Sequence, residues 1–220
     1  MTSVGRKPEI GVSGSSSQEA VDLVRRLLGE RLPRRGEFEP IRPKPEYFLN
    51  GGVKDHWAPH FTRVPVIALN EARTWQALVP SLVIDQAVVI WSGALHDTQR
   101  LGVIDDPDHG ERAAQWVKAK LDGKLNLDQL YKVMRICRFH SVNGVNQDLG
   151  PEAAVVREAD RLDRQRLDDF NPGRLKLPFS EPFIAIARDL IDLTDRSYSS
   201  VDEAFDRVLD AGVALGIIRS

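Results

Sequence analysis

Residues 81–97 read SLVIDQAVVIWSGALHD. The run is apolar on nearly every side of a helical wheel, which predicts a buried central helix. It ends in two polar residues, His96 and Asp97. Polar groups at the end of such a segment are costly to bury unless something pairs with them. An ionised Asp97 there needs a counter-charge, and a divalent cation is the strongest available. Neighbours on a helix stand about 100° apart, so His96 and Asp97 reach one ion most easily where the helix ends. Asp97 has two oxygens and is able to bridge two ions.

Helical periods dominate on both sides of this stretch. SSQEAVDLVRRLLGERL (residues 16–32) places Val21, Val24, Leu27 and Leu28 on one face behind a serine-rich start. HFTRVPVIALNEARTWQALV (60–79) is one segment with a possible kink at Pro65. In DPDHGERAAQWVKAKL (106–121), Asp108 stands three residues before Glu111, the spacing of a capping box. NLDQLYKVMRICRFHS (126–141), PEAAVVREADRLDRQRLDDF (151–170), EPFIAIARDLIDLTD (181–195) and SVDEAFDRVLDAGVALGII (200–218) continue the pattern. No segment alternates with period two. The expectation is an all-α, single-domain helical bundle of about seven helices over residues 18–220. Residues 1–17, rich in Gly and Ser, read as a mobile tail.

Between the first two helices lies PRRGEFEPIRPKPEYFLNGGVKDHWAP (33–59), with five prolines and three glycines. It is too interrupted for a long helix or a central strand. Such a loop is either a site wall that closes over a ligand, with Arg34, Arg35, Lys44, Tyr47 and Trp57 facing it, or a surface connector.

The totals exclude several classes. With 42% hydrophobic and 28% charged residues the 220-residue chain has an ordinary globular balance. A formal net charge of −2 gives no global attraction to nucleic acid or to an anionic membrane. The single cysteine, Cys137, cannot form an internal disulfide, and its apolar neighbours make it a buried structural thiol. There is no signal-peptide core and no apolar run long enough to span a bilayer. A cytoplasmic location is the expectation. The C-terminal helices, 181–216, read equally as a core-completing pair or as the face of a homodimer.

The five histidines are His56, His60, His96, His109 and His140, and four of them fall near a predicted helix end. Asp160 sits in VVREADRLDRQRL (155–167), with Arg157, Arg161 and Arg164 on its face of the helix. That face is either a solvated salt-bridge stripe or a metal ligand with an anion-gripping arginine beside it.

The order His60, His96-Asp97, His109, His140, Asp160 resembles the H…HD…H…H…D pattern of the HD-domain superfamily. HFTRV, ALHD, DPDHGERAA, FHS and EADRLD resemble its local words. The likeness covers residues 56–168, and it departs from the pattern at DTQR (97–100), where small relatives carry Gly-Arg. It implies an all-α bundle whose first ion is held by His60, His96, Asp97 and Asp160. A second ion would share Asp97 with His109 and His140. His56 has no place in the pattern.

The resemblance also implies a metal-dependent phosphohydrolase acting on a nucleotide or another small phosphate ester. The nucleophile would be water deprotonated with the help of the metal. The donors are all nitrogen and oxygen, which suits Mn, Fe, Co, Ni or Mg rather than a closed structural zinc site. Asp97 would bridge, and Arg100, Arg157 and Arg161 are the candidates for an anion clamp. Two other activities share this pattern: a mixed-valent di-iron oxygenase, and a nucleotide-binding module without turnover.

Overall fold

The computed structural model describes residues 17–49, 58–101, 106–121, 123–142, 149–167 and 169–220. Eight α-helices run through them: α1 (Ser17–Leu28), α2 (Ala58–Leu78), α3 (Gln86–Leu95), α4 (His109–Lys120), α5 (Leu127–Phe139), α6 (Gly150–Asp163), α7 (Glu181–Thr194) and α8 (Val201–Leu215). Short 3₁₀ turns occupy parts of the connections, and a lone β-bridge joins Arg34 to Arg219. No β-strand occurs among the described residues. The fold is all-helical, as the periodicity predicts, and each of the eight periodic segments corresponds to one of these helices. The tail of residues 1–16, His56 and Trp57 lie outside the described residues. No helix among those described is long and apolar enough to cross a membrane.

The middle of the bundle is α2, not the helix predicted to lie there. It packs against α1, α3, α6, α7 and α8. Polar residues disguise its position in the sequence, yet Arg63, Asn70 and Glu71 are all buried in it. Each finds a partner, as burial demands. The Thr62 hydroxyl donates to the Ala58 carbonyl at 2.9 Å, and the Asn70 amide donates to the Val66 carbonyl at 2.9 Å. The Arg63 guanidinium reaches Asp163 on α6 at 2.5 Å.

α3 is buried from Val88 to Leu95, but it begins at Gln86 rather than Ser81. Asp85 sets the boundary. Its carboxylate accepts from the backbone N–H of Ala87 (3.0 Å) and Val88 (3.3 Å), the geometry of an N-cap. The expected capping box of α4 does not form: Asp108 makes no side-chain cap. Glu111 instead accepts from Arg138 at 2.8 Å, which ties α4 to α5. The box occurs at the start of α5, where Asn126 and Gln129 accept each other's backbone N–H at 2.9 and 3.3 Å.

Two glycines set how closely the helices approach. A Cβ on Gly93 of α3 would stand 3.1 Å from the Cα of Pro65 on α2. A Cβ on Gly110 of α4 would stand 2.7 Å from the Arg138 carbonyl oxygen of α5. Pro65 leaves α2 unbroken, and its ring side faces the gap that Gly93 leaves open.

The described part of the Pro-rich segment is a connector strapped to the bundle. Phe38 and Ile41 are fully buried, and Tyr47 packs edge-on against Trp116 at 5.1 Å. Arg35 donates to Asp206 (2.9 Å) and Asp210 (2.6 Å) on α8. Arg42 donates to Asp206 at 3.0 Å. Arg35 and Arg42 are thus engaged on α8, so residues 33–49 follow the surface-connector reading, while residues 50–57 of the segment lie outside the described residues. In α7 and α8, Phe183, Leu190, Phe205 and Leu209 are buried, which makes this pair core-completing.

One buried carboxyl has no opposite charge beside it. Glu71 is fully buried, accepts from the Ser180 hydroxyl at 3.0 Å, and has no hydrogen-bond partner for Oε2 among the described residues. Burial first, and the charge of Glu158 second, push its pKa well above the ordinary value of 4.5. A raised folded-state pKa adds stability that is complete below that ordinary value and is lost as the pH rises through the folded-state value. Glu71→Gln has no such proton to lose. Its melting temperature relative to the parent should therefore rise as the pH is raised from about 5 to about 9. Melts that shift in parallel across this range would show that Glu71 does not titrate.

Candidate metal centre

The cluster is assembled from helix ends. His96 and Asp97 follow the last turn of α3, His109 opens α4, His140 follows α5, and Asp160 lies in the last turn of α6. His60 comes from the first turn of α2. Termini suit this work because several elements converge there and backbone carbonyls are free to hold imidazole rings.

Those carbonyls decide the tautomers. Nδ1 of His96 bonds the Gly93 carbonyl at 2.9 Å, and Nδ1 of His140 bonds the Cys137 carbonyl at 2.7 Å. Nδ1 of His109 bonds the carbonyl of Asp106. A carbonyl only accepts, so each of these nitrogens carries the proton and donates it. Nδ1 of His60 likewise donates to the Asp163 carboxylate at 2.7 Å. In the neutral rings, all four Nε2 atoms then present lone pairs to the interior.

They converge in two sets. Nε2 of His60 lies 3.3 Å from Nε2 of His96, and both approach Asp160 Oδ1, at 3.8 and 3.6 Å. Nε2 of His109 lies 3.0 Å from Nε2 of His140. Asp97 stands between the sets. Its Oδ1 is 3.1 Å from His109 and 3.0 Å from His140, while its Oδ2 is 3.8 Å from His60 and 3.9 Å from His96. Two groups able to hold a metal ion result: His60, His96, Asp97 and Asp160, and Asp97, His109 and His140. The structure thus brings all six predicted ligands together.

The donor chemistry fits a cation. Without one, facing lone pairs repel unless a proton sits between them. His96 takes that proton: burial opposes it, but the charges of Asp97 and Asp160 raise its pKa to about 9. Burial and the charge of Arg166 hold His60 down at about 3, against the pull of Asp163. Burial lowers His140 as well. Burial tends to raise Asp160, but its hydrogen bond and charge interaction with His96 keep it well below the ordinary carboxylate range. A divalent ion offers the same ligands more positive charge than the one proton does.

The predicted arginines separate. The Arg100 guanidinium lies at the rim, 3.5 Å from Asp97 Oδ1 and 3.4 Å from His109 Nε2. Arg161 donates to Glu158 at 3.1 Å and lines a cleft that also contains His140 and Asp160. Arg157 turns to the backbone, where it donates to the carbonyls of Phe139 and His140. It holds the end of α5 and is not an anion clamp. Cys137 is buried, and burial together with the Asp97 charge pushes its thiol up, so it packs as a neutral thiol.

Three supporting residues were not predicted. Asp163 is fully buried and accepts from His60, from Arg63 at 2.5 Å and from Arg166 at 2.7 Å. Such a carboxylate–histidine pair fixes the ring that presents a ligand. Burial works against its ionisation, but Arg63 and Arg166 keep it ionised. Asp163 is the last letter of EADRLD, three residues beyond Asp160, which was the available signal. Thr98 and Gln99, where the HD pattern departs, fasten the Pro-rich segment to the site. The Thr98 carbonyl accepts from Leu49 N–H at 3.0 Å, and the Gln99 amide donates to the Tyr47 carbonyl at 2.7 Å.

No family model, curated protein or solved structure matches the chain. The geometry above carries the functional argument.

The split of Asp97 makes the two sets separable. His109→Ala should lower bound manganese by about one ion per chain, while Asp97→Ala should lower both sets; elemental analysis of the dialysed protein reads this. Equal losses in the two variants would mean a single shared site. Asp163→Asn removes the partner of two buried guanidinium groups and should cost about 3–5 kcal/mol in a denaturant melt.

Proposed function

We propose that the chain is a metal-dependent phosphohydrolase of the HD-domain type, acting on a nucleotide or another small phosphate ester. The observation that supports this best is Asp97, whose two oxygens face two different histidine pairs. A bridging carboxylate of this kind serves two ions a few ångströms apart, an arrangement suited to displacement at phosphorus. Bound ions supply Lewis acidity toward phosphoryl oxygens and acidify nearby water.

The protein's own residues do the rest. His60, His96, His109 and His140 keep their Nε2 atoms aimed inward because acceptors hold their Nδ1 atoms. Arg100 and Arg161 stand where an anion would enter, one at the rim beside Asp97 and one on the wall of the cleft. A guanidinium there binds phosphate oxygens in pairs.

The test is an anaerobic screen of phosphate mono- and diesters with the protein loaded separately with Mn, Fe, Co, Ni and Mg. Phosphate release without oxygen is the expected result, and Asp97→Ala should reduce it at least about a thousandfold together with metal content. Turnover that needs dioxygen and iron would replace the hydrolase by an oxygenase. Turnover that survives Asp97→Ala would refute the bridging role.

A further inference from the structure

A cleft of about 580 Å³ opens beside the metal centre and shares two of its ligands, His140 and Asp160. Arg161 at the end of α6, Arg164 in the turn that follows, and Arg174 and Lys176 further along the chain also line it. Only one further carboxylate, Asp169, is on the lining, and Arg164 already donates to it. Two other clefts among the described residues, of about 670 and 710 Å³, include no ligand of the metal centre.

Four cations lining one cleft repel one another, and their local partners do not balance them. Arg161 has Glu158 and Arg164 has Asp169. Arg174 and Lys176 are exposed, and neither side chain has an ion pair among the described residues. Arg164 carries a more specific sign of an absent partner. Its Nε is buried and has no hydrogen-bond partner among the described residues. A buried N–H donor without an acceptor is rare and costly. Arg164 follows Asp160 by one helical turn, a rise of about 5.4–6 Å, and both residues line the cleft.

We infer that this cleft is a second anion subsite, so that the substrate carries a chain of at least two phosphate groups. One phosphate lies at the ions, and the next lie along Arg164, Arg174 and Lys176. This rests on the hydrolase reading for the first phosphate, but not for the subsite itself. An isolated phosphate monoester would leave the exposed part of the lining, Arg174 and Lys176, without an anion. Arginine suits the inner positions because its fork meets two oxygens at once, and lysine suits the open end, where a point charge is enough.

The experiment uses the full chain, loaded with manganese and freed of excess ion. Orthophosphate and imidotriphosphate, whose P–N–P bridges resist hydrolysis, are titrated into it by calorimetry. Imidotriphosphate should bind at least about tenfold tighter than orthophosphate, the worth of one charge-assisted hydrogen bond. In the double variant Arg174→Ala/Lys176→Ala the ratio of the two affinities should fall by about tenfold or more. Both positions are exposed, so the variant tests binding and not folding, and the parent ratio needs no variant at all. Equal affinities in the parent, no binding of imidotriphosphate, or an unchanged ratio in the variant would each overturn the subsite. Because no turnover is measured, the two readings fail separately. A chain that hydrolyses phosphate esters but shows a ratio of one keeps the hydrolase and loses the subsite. A chain with the expected ratios and no hydrolysis of any ester keeps the subsite and loses the hydrolase.

Discussion

Four imidazole nitrogens with lone pairs and two carboxylates meet inside a helical bundle, and such a meeting needs positive charge. The requirement arises one step away from the site. Carbonyls at Gly93, Asp106 and Cys137, and the carboxylate of Asp163, each take an Nδ1 proton and so point a basic Nε2 at the centre. Asp97 and Asp160 draw a proton to His96. One proton shared among so many basic atoms is a weak answer, whereas a divalent ion matches their number and hardness.

Bringing the donors so close is a packing problem, and two missing Cβ atoms solve it. Gly93 lets α3 lie against Pro65 of α2, and His60 and His96 are carried by those two helices. Gly110 lets α4 lie against the backbone of α5, and His109 and His140 stand at the ends of that pair. A close-packed interior does not stretch to absorb an added methyl group against backbone. Each histidine pair thus depends on one glycine contact, and Asp97, at the end of α3, joins the two pairs.

What the sequence reveals and conceals follows from whether a role is local. The six ligands are legible because each sits in a short word, and their order along the chain is the pattern. Asp85 as a cap and Asp163 as a support are harder. Asp85 lies inside an apolar run that looks helical throughout, and only its bonds to Ala87 and Val88 show the boundary. Asp163 looks like one more charge in a helix rich in Arg and Asp. Its partners, His60 and Arg63, lie a hundred residues earlier. The centrality of α2 is hidden for the same reason: Arg63 and Glu71 make it look like a surface helix, and their partners lie on other elements. Hydrophobic period reports burial only where burial is apolar.

The arginines show how one residue type is put to different uses by position alone. Arg63 and Arg166 lie deep behind His60, and both donate to Asp163. Together they outweigh its single negative charge. The excess is felt at His60, where Arg166 and burial hold the ring neutral. A neutral His60 keeps its lone pair available, while His96 across the gap, raised by the charges of Asp97 and Asp160 with no buried arginine behind it among the described residues, holds the proton. Arg157 holds the end of α5 by two carbonyls. Arg161 and Arg164, only one and two turns further along the same stretch of chain, face the cleft instead. Two residues beyond Arg164, Arg166 turns back to the interior and to Asp163.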